Sequence, residues 1–281
     1  MLKKMEWGNR SINFAEKTMV MGIINCTHDS FYPGSRKPHT DAAYLAAMEM
    51  ISQGIDIIDI GGESTRPGSE FVSVEEEMER ICPVIEVIRK ESDVLISVDT
   101  RKSAVAETAL DLGADMVNDI SSLKSDGELK HLIARRGIPV VLMHMRGTPK
   151  TMQQNPVYED TLEEVRRELK NSIDEALKAG IAKDRIIIDP GIGFGKRLED
   201  NLRIINCLEE LKSLNHPILI GLSRKSFLGS ILDLPVEERL IGTVTANTIA
   251  IIRGANIIRV HDPREAIQMA RVADAVLRVP R

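Results

Sequence analysis

The sequence predicts a single closed (β/α)8 barrel, a TIM barrel, over residues 1–281, and three observations carry that prediction. Short apolar runs recur eight times along the chain, and helix-period segments lie between them. Each apolar run stops at a polar or ionisable residue, or at a glycine pair leading to one. A brief continuous apolar run suits a strand buried on both faces, as in a parallel sheet covered by helices. Polar residues at the C-terminal ends of such strands are where a barrel of this class keeps its chemistry.

The runs follow in order. Val20–Ile24 ends at Asn25, Ile55–Ile60 at Gly61-Gly62-Glu63, Val94–Val98 at Asp99, and Ala114–Val117 at Asn118. Val140–Met143 ends at His144, Ile186–Ile188 at Asp189, Ile218–Leu222 at Ser223-Arg224-Lys225, and Ile257–Ile258 at Arg259-Val260-His261. Between them, Asp41–Gln53 has helical spacing and stops at Gly54. Ser73–Lys90 opens with Ser73 three residues before Glu76, a capping-box spacing, and contains Pro83, which can kink it. Lys102–Leu112 stops at Gly113, Gly127–Arg136 at Gly137 and Asp160–Ala179 at Gly180. Glu199–Leu214 and Glu237–Arg253 follow, and Pro263–Leu277 starts with proline where its missing N–H costs nothing. No linker or low-complexity tract interrupts the series, so one domain is expected. An open doubly wound sheet is the alternative, but it calls for a Gly-rich turn after its first strand, where this chain has Asn25-Cys26-Thr27.

Composition narrows the function. Hydrophobic residues make up 43% and charged residues 28%, which fits a soluble protein with a real core. Aromatics are only 3%, so that core must be built from aliphatic side chains. A net charge of −5 argues against nucleic acid or a membrane surface as partner. Met1–Arg10 has charge but no apolar stretch behind it, so no secretory leader is expected. Cys26, Cys82 and Cys207 are widely spaced with no CxxC, which suits reduced thiols in the cytoplasm.

Asp99, Asn118 and Asp189 each follow a strand run and should project into one barrel mouth. Together they suit a flat heterocycle with an amino-pyrimidine edge, since a carboxylate takes two parallel N–H bonds. The plainer alternative, that each aspartate only caps the next helix, is reasonable for one and weaker for the set. Ser223-Arg224-Lys225-Ser226, with Arg259 and His261 on the next strand end, reads as an anion site. Asn25 is neutral, so it would ligate a metal only beside ligand phosphates and water, as Mg²⁺ allows. Cys26 is more plausible as a small buried residue than as a nucleophile. Met143 suits either core or a ligand platform, and His144 either site or core. Gly191–Lys196 lacks the Walker spacing and reads as a tight, flexible turn presenting Phe194. The long connections Asn25–Thr40, Gly61–Val72 and Arg146–Tyr158 are candidate lids or substrate contacts.

With these residues in place the chain resembles the dihydropteroate synthases, the sulfonamide-inhibited enzymes of folate biosynthesis. The matching segments are Met21–Asn25, Asp59–Gly68, Ser97–Thr100, Val117–Ile120, Met143–Met145, Asp189–Lys196, Ser223–Ser226 and Arg259–Asp262, in order over nearly the whole chain. The resemblance implies a transferase that condenses 6-hydroxymethyl-7,8-dihydropterin diphosphate with p-aminobenzoate, with Mg²⁺ as cofactor and a homodimer as assembly. It implies that Asp99, Asn118, Asp189 and Lys225 bind the pterin, with Met143, Phe194 and Arg259 against its faces. Asn25, Arg259 and His261 would hold the diphosphate with Mg²⁺. Thr65, Arg66, Pro67, Lys225 and Ser226 would shape the p-aminobenzoate site. The catalytic burden would fall on Lys225, Arg259, His261 and Asp99.

One departure stands out. The family's first loop commonly reads Asn-Val-Thr-Pro-Asp-Ser-Phe-Ser-Asp-Gly, whereas this chain reads Asn25-Cys26-Thr27-His28-Asp29-Ser30-Phe31-Tyr32-Pro33-Gly34. Pro33 therefore stands where a second aspartate is usual. Two rivals follow. A pterin-binding methyltransferase acting on methyltetrahydrofolate would share the pterin edge but need no anion site after the seventh and eighth runs. A paralogue that binds pterin without catalysis is favoured by Pro33 alone.

Overall fold

A short antiparallel hairpin precedes the barrel, and the apolar-run pattern does not anticipate it. In this computed structural model, which describes residues 2–26, 38–64, 68, 69 and 71–279, the hairpin is β1 (Lys4–Trp7) and β2 (Arg10–Asn13). Alternation in Lys4-Met5-Glu6-Trp7 turns Met5 and Trp7 into the core, and Ile12 joins them from β2. Arg10 Nε donates to Asp115 Oδ1 at 2.8 Å and its Nη1 to the carbonyl of Asp93 at 2.9 Å. Both partners lie just before barrel strands, so the hairpin closes the end of the barrel away from the polar strand ends.

The eight apolar runs become eight parallel strands. They are β3 (Met19–Asn25), β4 (Ile57–Gly61), β5 (Leu95–Asp99), β6 (Met116–Asp119), β7 (Val140–Met143), β8 (Ile186–Asp189), β9 (Leu219–Gly221) and β10 (Ile257–Val260). The ladder runs β8-β7-β6-β5-β4-β3-β10-β9. A parallel bridge between Ile188 and Ile218, with Ile188 N donating to Pro217 O at 2.9 Å, joins its two ends. The sheet is thus a (β/α)8 barrel, as the strand pattern predicts, and its strands share one aliphatic core with the hairpin and the surrounding helices.

The helices are α1 (Pro38–Ser52), α2 (Val74–Glu91), α3 (Ser103–Asp111), α4 (Gly127–Arg136), α5 (Thr161–Lys178), α6 (Leu198–Asn206), α7 (Ser226–Leu232), α8 (Leu240–Ile252) and α9 (Pro263–Leu277). Their caps follow the sequence signals. Ser73 Oγ accepts from Glu76 N at 3.1 Å, and Gly137, at φ 63°, lets its N–H reach Ile133 O. The α2 helix continues through Pro83. Two expected helices are shorter than their patterns suggest. The Glu199–Leu214 run breaks at Cys207 and continues as a 3₁₀ turn, because Leu208, Leu211 and Leu214 bury one face at a spacing of three. The Glu237–Arg253 run starts as a 3₁₀ turn and becomes α-helical only at Leu240. There Arg239 bends the segment back by donating to the carbonyls of Leu234 and Arg224. Among the described residues, no helix is long and apolar enough to cross a membrane.

Candidate active site

Strand register sets the mouth of the barrel. Asn25 lies opposite Gly61, Gly61 opposite Asp99, and Asp99 opposite Asn118, so four consecutive strands end in one tier. Met143 pairs with Asp189 on the far side. Arg259, opposite Met21 and Gly221, starts lower and reaches up. Its Nε donates to Asp59 Oδ2 at 2.6 Å and its Nη2 to Asp99 Oδ2 at 2.7 Å. Asn118 Nδ2 donates to the same Asp59 oxygen at 3.0 Å. Bonds from β10 to β4 and β5, past the intervening β3, can only cross the barrel interior. The structure therefore brings Asp99, Asn118 and Arg259 together through Asp59, whereas the sequence groups Asp99 and Asn118 with Asp189 and places Arg259 in the anion site.

Asp59 is the residue that sequence reasoning missed. It is fully buried, holds Arg259 and Asn118 together, and its Oδ1 has no hydrogen-bond partner among the described residues. The signal was available, since a charge inside the run Ile57-Ile58-Asp59-Ile60 must be paired once that strand is buried. One guanidinium now serves two carboxylates. Burial pushes the Asp99 carboxyl up to about 7, with Arg259 opposing the rise and Asp59, Glu77 and Asp119 adding to it.

Asp189 accepts from Gly191 N at 2.7 Å. Burial raises its carboxyl, against the pull of Lys225, the Gly191 N–H, Lys196 and Arg259. Lys225 donates to Ile192 O, and its ammonium lies 4.8 Å from the Phe194 ring centre. Burial draws the Lys225 amine down to about 8, although Asp189 opposes it. Ser226 opens α7 and is exposed. Met143 is buried, and its carbonyl accepts from Ser122 Oγ at 2.8 Å.

The anion site is narrower than the sequence suggests. Arg224 is committed to structure, with Nε and Nη2 on Asp262 at 2.8 and 2.6 Å and Nη1 on the carbonyls of Val236 and Glu237. Ser223 is buried and serves His261, accepting from its backbone N–H at 3.2 Å and meeting Nδ1 at 3.1 Å. Lys225 and Arg259 supply the cations on this side of the mouth, and His261 follows Arg259 by two residues. His144 is a buried strut, since burial holds its imidazole down to about 4 and Glu168 anchors Nε2 at 3.1 Å. Cys26 is buried too, and burial pushes its thiol up to about 12, which excludes a ready thiolate nucleophile. Glu63 binds Arg101 at 2.9 Å and Lys102 at 3.2 Å, and Lys102 also pairs with Glu77. That cluster anchors the start of the loop after β4. Thr65, Arg66, Pro67 and Pro33 lie outside the described residues.

Comparison with known proteins decides the family. Residues 21–261 match the family described as pterin binding enzyme. The dihydropteroate synthase of Bacillus subtilis is 46% identical, over 95% of this chain and 91% of its own. The chain belongs to the dihydropteroate synthase family. Two solved dihydropteroate synthases share its fold. The Yersinia pestis enzyme, in complex with a sulfonamide drug, superposes with a TM-score of 0.92 at 41% identity, covering 98% of this chain and 99% of that one. The Xanthomonas albilineans enzyme with 4-aminobenzoic acid gives 0.92 at 39%, covering 99% of each. This member of the family is accordingly a pterin-binding transferase of folate synthesis, and the methyltransferase alternative falls.

Proposed function

We propose that this mouth joins 6-hydroxymethyl-7,8-dihydropterin diphosphate to p-aminobenzoate by dividing the work among its strand ends. The observation that carries the reading is the buried Asp59–Arg259–Asp99 network, with Asn118 attached, facing the Lys225 and Asp189 side of the same mouth. Asp99, Asn118 and Asp189 take the polar edge of the pterin, between Met143, Phe194 and Arg259 on its faces. Two of the three Arg259 nitrogens are occupied, leaving Nη1 to face the diphosphate with His261. Lys225 and Ser226, with Thr65, Arg66 and Pro67, shape the p-aminobenzoate site. The bond from the pterin methylene to diphosphate breaks, and its electron pair leaves on the diphosphate oxygen. The aniline nitrogen bonds the methylene carbon and then gives up a proton. Orientation and preorganised charge supply the rate, with no protein nucleophile.

The donor set fits Mg²⁺. Among the described residues, no group of three or more His, Cys, Asp and Glu gathers to hold a metal, and the exposed Asn25 offers one carboxamide oxygen at the mouth. A cation there would take its other ligands from diphosphate and water, which is the habit of Mg²⁺. When bound, it would neutralise charge on the leaving diphosphate.

Purified protein with Mg²⁺ and both substrates should therefore release diphosphate, with a narrow pH optimum. Ionisation of Asp99 near pH 7 gains the acceptor for the pterin edge, so activity rises there. Loss of the Lys225 proton near pH 8 removes a cation, so activity then falls. Diphosphate release no faster than background, with pterin still bound, would point to a non-catalytic paralogue.

The enzyme is further proposed to work as a homodimer through α8 and α9, in the cytoplasm, where its three free cysteines would stay reduced. Val272 and Val276, 66% and 68% exposed, line a groove of about 730 Å³ with Val244, Ile252 and Met269, and Ile241 on α8 is 80% exposed. A second copy covering this face would remove those side chains from water. Val272→Glu should shift the mass measured by light scattering from dimer to monomer, and an unchanged mass would exclude this face.

A further inference from the structure

The glycine-rich loop after β8 is held by a buried lysine that the reaction as described leaves without a task. Lys196 is 3% exposed. Its ammonium donates to Gly191 O at 2.9 Å, to Phe194 O at 3.1 Å and to His144 Nδ1 at 2.9 Å, with His144 O at 3.4 Å. The loop thus folds around its own last side chain. His144 can accept at Nδ1 because its ring is neutral, which makes Nε2–H the donor to Glu168. Glu168 also takes Arg146 at 2.5 Å, Arg146 stacks 3.9 Å over the Tyr158 ring, and Tyr158 Oη donates back to Gly195 O at 2.7 Å. The chain of contacts closes on the loop where it began.

Glycine permits this proximity. At Gly191 a Cβ would fall 1.9 Å from His144 O, and at Gly195 2.4 Å from Arg146 O. The loop is pinned further by Gln153, which donates to Gly193 O, and by Asn201, which accepts from Gly193 N, both at 2.7 Å. The expectation of a flexible turn is therefore corrected, because each segment of it has a partner. On its outer side the same loop offers Ile192 O and the Phe194 ring to Lys225.

We infer that Lys196 is a positioning residue, which fixes the Gly191–Phe194 loop and through it the places of Lys225 and Phe194 in the substrate mouth. The inference rests on the proposed substrate contacts of Lys225 and Phe194. Lys196→Met nearly keeps the side chain's length and removes its amine donors. It should raise KM for both substrates roughly tenfold, since small misplacements of binding groups are costly. A merely structural lysine would lower the melting temperature and the active fraction, and so the apparent kcat, while leaving KM unchanged. Arg10→Met, which cuts an ion pair at the other end of the barrel, supplies that control pattern.

Lys225→Ala and Phe194→Ala belong in the same series. If they raise KM and folded Lys196→Met does not, the inference is overturned while the site reading stands. If neither of them raises KM, the site reading itself fails. Should Lys196→Met not fold, His144→Leu removes the ring's bond to Lys196 together with its bond to Glu168. A rise in KM of about threefold or more is expected there, as for one or two lost hydrogen bonds, and an unchanged KM overturns the inference equally.

Discussion

Lys225→Ala is expected to lower kcat/KM about a hundredfold or more, with only a small change in melting temperature. The side chain is partly exposed at the mouth, so the fold does not depend on it. Its loss acts on both substrates at once. The cation opposite Phe194 disappears, and so does the largest charge that counters the burial of Asp189. Without that charge, the Asp189 carboxyl should rise further. A carboxyl that holds its proton more readily is a poorer acceptor for two N–H bonds from the pterin edge, so one truncation removes a donor and weakens an acceptor. Lys225→Arg should rescue poorly, because a planar fork cannot occupy the space of a compact ammonium against Ile192 O. Diphosphate release and calorimetric binding of a pterin analogue would measure both losses. Activity within about twofold of the parent would show that the end of β9 is misassigned.

The strands and most of the helices were legible because each obeys a local rule. Short apolar runs set between helix-period segments suit interior strands, Ser73 and Asp160 cap their helices through side-chain oxygens, and Gly137 does so by its left-handed backbone. The hairpin escaped notice because two four-residue strands carry too few apolar positions to stand out, and only packing against the barrel makes them hold. The site was legible where a residue's chemistry and its strand-end position coincide, as for Asp99, Asn118 and Arg259. It was illegible where function depends on a partner distant in sequence. Nothing in Ser223-Arg224-Lys225-Ser226 says that Arg224 turns to Asp262 while Lys225 turns to the mouth. His144 likewise became interpretable only once Lys196 and Glu168 were found on its two nitrogens.

Asp59→Asn is expected to be the most damaging change that touches no substrate. Asp59 Oδ2 orients Arg259 and Asn118 together, so its neutral isostere keeps an oxygen for one of them and loses the charge that holds the guanidinium. A stability loss of about 1–3 kcal/mol follows from weakening buried hydrogen bonds that an amide replaces imperfectly. The activity loss should be larger, roughly hundredfold, because Arg259 would no longer be held where diphosphate needs it. The pH profile gives the sign that separates this account from simple destabilisation. In the parent protein Asp59 helps to raise the Asp99 carboxyl, and the two share one guanidinium. With Asn at this position, Arg259 is left to Asp99 alone, so Asp99 must ionise at lower pH. The acid limb of the residual activity should therefore move down from about 7. Stability should shift with it. In the parent, burial favours the protonated acid, a contribution that is full below the ordinary carboxylate range and lost as pH rises through about 7. In Asp59→Asn that loss should come at lower pH and be smaller. An acid limb that stays in place or moves up would mean that Asp59 and Asp99 do not compete for Arg259. The buried network would then be scaffolding rather than the electrostatic centre of the site.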